Sequence, residues 1–275
     1  MIVKIKEIIK KNVPARYLEM ISYKGVSITK IPKQNSVISD LFLFRTEDEW
    51  ETNFECLQLD MLLNPKSELK SKGILFSFFS KNGNLIAEKR VFLPKSIKTT
   101  ISINKIAIGL GINGDCLFAV FHPLIDYGLL KHKSFLAERG YIGYAHPIKG
   151  SIKGFVHGNF DAIAKNNSKN SYRMLGNYSF FKKHYSLQNI LEPDHEYELY
   201  IVNTTRLIQK INVVEIRGNS SKKTAFNIPS GGFFKYIKTI DKKGLKTNLI
   251  IESKLYLARP VIFKLMKSSF DVFHG

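Results

Sequence analysis

Four of the chain's seven histidines fall in one stretch: His122, His132, His146 and His157, with Asp126, Glu138 and Asp161 close by in sequence. Imidazoles and carboxylates brought together from separate strands could hold a divalent metal or relay a proton. None of these spacings matches a known ligand pattern, so no metal is assigned. His122 and His146 each precede a proline at what reads as a strand end, where an imidazole commonly bonds a carbonyl. His122, His146 and His157 are therefore the catalytic candidates of an enzyme reading, and support of the fold is the favoured role of each. Cys116 with His122 is a feasible nucleophile and base, although a strand cysteine is usually inert packing.

Gly109-Leu-Gly-Ile-Asn-Gly114 matches the dinucleotide fingerprint in letters only. That motif works when a helix begins at the glycines and offers its N–H groups to a pyrophosphate. Here Cys-Leu-Phe-Ala-Val-Phe follows, which reads as a strand, and Asn113-Gly114 reads as a turn. No cofactor is assigned.

Three further stretches set aromatics beside cations: Phe180-Phe-Lys-Lys-His-Tyr185, Phe233-Phe-Lys-Tyr-Ile-Lys238 and Tyr172-Arg173. Lys182, Lys183, Tyr185, Lys235, Tyr236 and Lys238 are the ligand-binding candidates. Aromatic faces stack on sugar rings or bases while the lysines meet negative charge. The competing reading sends alternate residues into a core and leaves the lysines in water. The one strongly acidic patch, Glu47-Asp-Glu-Trp-Glu51, contains the single tryptophan and reads as a solvated loop beside an anchoring Trp50.

The elements that would carry these residues are mostly strands. Residues 2–12 have apolar positions at helical spacing with lysines opposite, and Pro14 ends that helix. Packing of this helix on the following domain is favoured over contact with a membrane surface. From about residue 25 the period becomes two, with a hairpin at Lys81-Asn-Gly-Asn84 expected to use a type I′ turn. A similar order of strands and breaks returns later. Asn203 lies 203 − 64 = 139 residues after Asn64, Pro229 lies 229 − 94 = 135 after Pro94, and His274 lies 274 − 157 = 117 after His157. The shortfall in the last spacing implies an insertion at about 121–138. The expectation is an all-β chain: a short N-terminal helix with its lead-in (1–24), then a tandem pair of related β-sandwich units at 25–158 and 159–275.

The formal charge of +19 is the strongest compositional signal. A basic surface attracts an anionic polymer or glycan, and nucleic acid fits the same charge. The lysines are spread along the chain, which also suits a plain compositional bias. No apolar run is long enough for a membrane-spanning helix. Lysines interrupt the N-terminus too often for a signal peptide, so a cytoplasmic chain with two reduced cysteines is expected. The leading reading is a non-catalytic binding or structural protein with a basic, aromatic-containing surface. The alternatives are an enzyme of cell-surface carbohydrate metabolism, with a histidine site between the units, and a capsid-like subunit that assembles into an oligomer.

Overall fold

Alternating apolar residues, broken every five to nine positions by turn residues, leave the chain little choice but strands. The computed structural model describes residues 36–57, 73–94, 96–121, 137–138, 140–147, 153–166, 169–257 and 260–275. The first half holds β1 (Ser36–Phe44), β2 (Glu51–Leu57), β3 (Ile74–Phe79), β4 (Leu85–Val91), β5 (Lys98–Ser102), helix α1 (Ile103–Ile108) and β6 (Cys116–Phe121). It continues with β7 (Ala137–Glu138), β8 (Tyr141–Ala145), β9 (Gly154–His157), β10 (Asn159–Asn166) and β11 (Ser171–Met174). The second half holds β12 (Tyr178–Ser186), β13 (His195–Val202), β14 (Gln209–Arg217) and β15 (Ser220–Ile228). It ends with β16 (Phe233–Ile240), β17 (Asn248–Leu255), β18 (Val261–Leu265) and β19 (Phe270–His274). The expected helix at 2–12, Asn64 and most of the 121–138 insertion lie outside the described residues.

The chain is all-β, and its two halves pair their strands in the same order. Sheet β1-β6-β3-β4 has its counterpart in β12-β17-β14-β15, and sheet β5-β2-β8-β9 in β16-β13-β18-β19. In the first half Phe54 on β2 lies 5.1 Å from Phe42 on β1 and 6.0 Å from Phe118 on β6, so aromatic rings fill the space between the sheets. In the second half Tyr197, Leu199 and Ile201 of β13 meet Ile211 and Val213 of β14 and Ile251 of β17 in a core of their own.

The halves also bury surface against each other. The opposite face of β13 and β18 offers Tyr200, Val202, Val261 and Phe263, which join the core of the first half. Phe263 stands edge-on to Trp50 at 5.1 Å and to Tyr144 at 4.9 Å. β13 is therefore apolar on both faces, a pattern that alternation alone hides.

Three details depart from the sequence reading. First, β10 pairs with β1, and β11 pairs with β10. Residues 159–174 thus extend the first sheet, and the strands of the second half start at β12 instead of at 159. Second, the β3–β4 turn is not type I′, because only Gly83 has positive φ (80°). Gly83 N–H donates to Ser80 O, and the left-handed glycine that follows the turn closes a three-residue loop. Third, α1 follows β5 directly, with the Ser102 hydroxyl as its N-cap. Gly109 and Gly111 come after that helix, and strand β6 follows them.

Candidate functional site

Among the described residues, polar and charged side chains gather in three places. The first is between the halves. Arg45 is almost fully buried, with its guanidinium 4.0 Å from the Trp50 ring and 4.4 Å from that of Phe263. It pairs with Glu198 of β13, which also accepts from Lys235 Nζ at 2.8 Å. Tyr200 donates to Asp115 Oδ2 at 2.7 Å, and Asp115 Oδ1 accepts from the N–H groups of Thr46 and Glu47. Burial, with the Asp115 and Glu198 charges nearby, pushes the Tyr200 hydroxyl far above the ordinary tyrosine range, so it stays a donor. Aromatic rings and an ion pair surround the buried Arg45 guanidinium, and the cluster forms a seam between the halves. The acidic loop lies at its rim: Trp50 is buried, while Asp48 and Glu49 are exposed with positive φ.

The second cluster rests on the first sheet. Four ladders separate β11 from β3 in the sheet order, which would be roughly 19 Å in a flat sheet. Yet the Tyr172 hydroxyl on β11 sits 2.7 Å from Ser77 Oγ on β3. The sheet therefore curls, aided by the irregular step where Ser39 and Leu41 face Ile163 and Asn159. Lys165 Nζ donates to Glu88 (2.9 Å), Asn170 (2.7 Å) and Tyr172 (2.8 Å), and Tyr172 donates to Glu88. Burial works against ionisation of Glu88, but the hydrogen bonds from Tyr172 and Lys165 outweigh it and hold its carboxyl below the usual range. Burial, reinforced by that carboxylate, pushes the Tyr172 hydroxyl upward. Serine, tyrosine, lysine and glutamate in one network could move a proton, but here Ser77 is fully buried and the Lys165 donors are taken up within the cluster. The cluster pins the curl of the sheet. Nothing in the local sequence announces it, because its members come from four strands.

The third place is a surface at one end of sheet β12-β17-β14-β15. Tyr178 of β12 faces Leu255 of β17, and Lys183 faces Ser253, so four residues of β12 (179–182) span the width of one on β17, Lys254. This bulge turns Phe180 and Phe181 outward together, where plain alternation would send them to opposite faces. Each is 62% exposed, and their rings meet edge-on at 5.5 Å. Ser179 is buried and its hydroxyl accepts from Phe181 N–H, which fixes the bulge from inside. Lys254 Nζ lies 5.9 Å from the Phe180 ring, and Lys183 Nζ 5.6 Å from that of Tyr256.

The structure separates the binding candidates. Lys182 lies on this surface and reaches Glu252 at 3.4 Å, whereas Lys183 faces the buried Ser253 and lies over the Tyr256 ring. Tyr185 packs against the second core and donates to Leu255 O. Lys235 belongs to the buried seam. Tyr236 and Lys238 both engage Glu215 at the inner edge of the second half. The basic aromatic run of β16 is thus absorbed by internal carboxylates, whereas that of β12 keeps its phenylalanines in water.

Of the candidate histidines that the structure describes, His146 and His157 are not brought together. His157 faces Tyr141 across the β8–β9 ladder, and His146 is 146 − 141 = 5 residues further along β8, about 16 Å away at the usual strand rise. His146 packs edge-on against Trp50 at 4.9 Å. His157 N–H donates to the Nε2 of His274 at 3.2 Å, so the two closing histidines meet where β9 lies against β19. His122 and His132 lie outside the described residues. Burial pushes the Cys116 thiol up to about 12, with Asp115 adding to the shift, which leaves it no thiolate for nucleophilic chemistry. Among the described residues no group of three or more His, Cys, Asp or Glu side chains could hold a metal ion.

No protein-family model matches the chain, and a search of curated proteins returns no match.

Proposed function

We propose that the chain is a non-catalytic binding protein that takes a polyanionic partner on the bulged end of the second half. One observation carries this reading: Phe180 and Phe181 stand exposed side by side, with Lys254 Nζ 5.9 Å from the Phe180 ring and Lys182 next in sequence. A buried aromatic needs no explanation, but an exposed pair with cations beside it does. The net charge of +19 draws anions toward the molecule, and the local lysines give them a place to stop.

The test is retention on a heparin column over a salt gradient. Binding by lysines releases counterions, so retention at low salt is lost steeply as salt rises. Replacing Lys182 and Lys254 by Gln lowers the salt needed for elution. Absence of retention at low salt, or elution unchanged in the double variant, overturns the reading.

A further inference from the structure

The lysines do not stand alone at that end of the sheet. Ser253 of β17 faces Ile211 of β14, so Lys254 stands beside Lys210, and the loop leading into β14 ends next to the bulge. This loop carries Leu207 and Ile208, 52% and 68% exposed. It is rigid: the buried Asn203 amide donates to Leu207 O, Ile228 O and Pro229 O at 2.8–3.0 Å, and its Oδ1 accepts from Thr205. Two separate structural devices, the Ser179-anchored bulge and the Asn203-anchored loop, thus hold apolar side chains out in water at the same end of one sheet.

We propose that this end docks on the anionic face of a lipid bilayer. Phe180, Phe181, Leu207 and Ile208 enter the boundary between headgroups and acyl chains, while Lys182, Lys210 and Lys254 meet lipid phosphates. This rests on the polyanion reading and names its source. A glycan site needs an open ring face together with hydrogen-bonding side chains that read hydroxyls. Here the two rings meet edge-on, and the Glu252 carboxylate is taken up by Lys182, Lys223 and Asn212. Protruding apolar groups within a cationic ring fit an interface that is apolar inside and negative at its rim.

Cosedimentation with phosphatidylcholine vesicles, with and without phosphatidylserine, tests this. The protein is expected to sediment only with vesicles containing phosphatidylserine. The variant Phe180→Ser/Phe181→Ser is expected to bind them more weakly by on the order of tenfold, with the thermal midpoint unchanged. A Phe180→Trp variant supplies a second readout, because the buried Trp50 contributes a constant background; its emission shifts to the blue when vesicles are added. Heparin retention without sedimentation, serine variants that sediment like the parent, or an unshifted Trp emission each overturn the membrane proposal and leave the polyanion reading standing. Loss of heparin retention as well would remove both.

Discussion

Glu252 shows how a single carboxylate on the second half's outer face gathers its neighbours. Lys223 and Lys182 pair with it, Asn212 donates to it, and His184 lies 3.6 Å away. The hydrogen bond from Lys223 leads the causes that lower its carboxyl to about 2. A carboxyl depressed in the folded state stabilises above its ordinary value, about 4.3, and loses that contribution as pH falls through the folded value. Glu252→Gln should therefore be less stable than the parent near neutrality, and the difference should shrink between about pH 4.3 and pH 2. Denaturant midpoints across that range measure it. A difference that stays constant, or grows, as pH falls would contradict the assignment. The effect is small, because exposed pairs are screened by water and salt.

Among single residues, the sequence showed some things and concealed others. Asn203 stands out as a strand break between apolar runs, and the structure gives the reason: its amide spans three carbonyls. Arg45 carries no such signal. An arginine directly after the last phenylalanine of a strand reads as solvent-facing until β13 arrives from far along the chain with Glu198.

At the scale of elements, the β3–β4 hairpin does more than turn the chain. Its tip meets the second half, where Phe233 N–H donates to Lys81 O at 3.1 Å. A side-chain carbon on Gly83 would fall 2.0 Å from Ser230 O, at a φ of 80° that suits glycine alone. Gly83→Ala should destabilise by about 1–3 kcal/mol from backbone strain, with further loss from the clash. Thermal unfolding reads this, and an unchanged midpoint would mean that the tip does not dock there. Asn82-Gly83 announces a turn, but its type follows from the partner it touches. The short α1 is hidden from sequence for a related reason. Its signals are a Ser102 cap and the buried pair Ile103 and Ala107, too little against the strand-like Thr99–Ile103 that runs into it.

For the whole molecule, the matched sheet orders make the two halves look self-sufficient, yet their energetics are shared. Tyr200, Val202, Val261 and Phe263 belong to the second half by chain and to the first by packing. The Arg45–Glu198 pair lies across the same seam, and removal of one partner from such a buried pair typically costs about 3–5 kcal/mol. The described molecule should therefore unfold in guanidinium as a single transition, with coincident curves by tryptophan fluorescence and far-ultraviolet circular dichroism. Two separated transitions would mean that the seam is weaker than its burial implies. The repeated order was legible from turns and prolines: Pro94 and Pro229 each follow the fourth strand of their set. The seam was not, because a strand buried on both faces has no alternation to betray its second partner.

The bulge in β12 has one more effect. Among the described residues β12 is an edge strand of its sheet, and an edge strand offers a row of N–H and C=O groups to any extended chain in solution. Four residues crowded into the space of one break that row, and the lysines beside it repel a second copy. A shortened β12, trimmed until it runs straight, would keep the sandwich but expose a regular edge. The expected consequence is end-to-end growth into fibres, held off in the native chain by the same kink that carries Phe180 and Phe181.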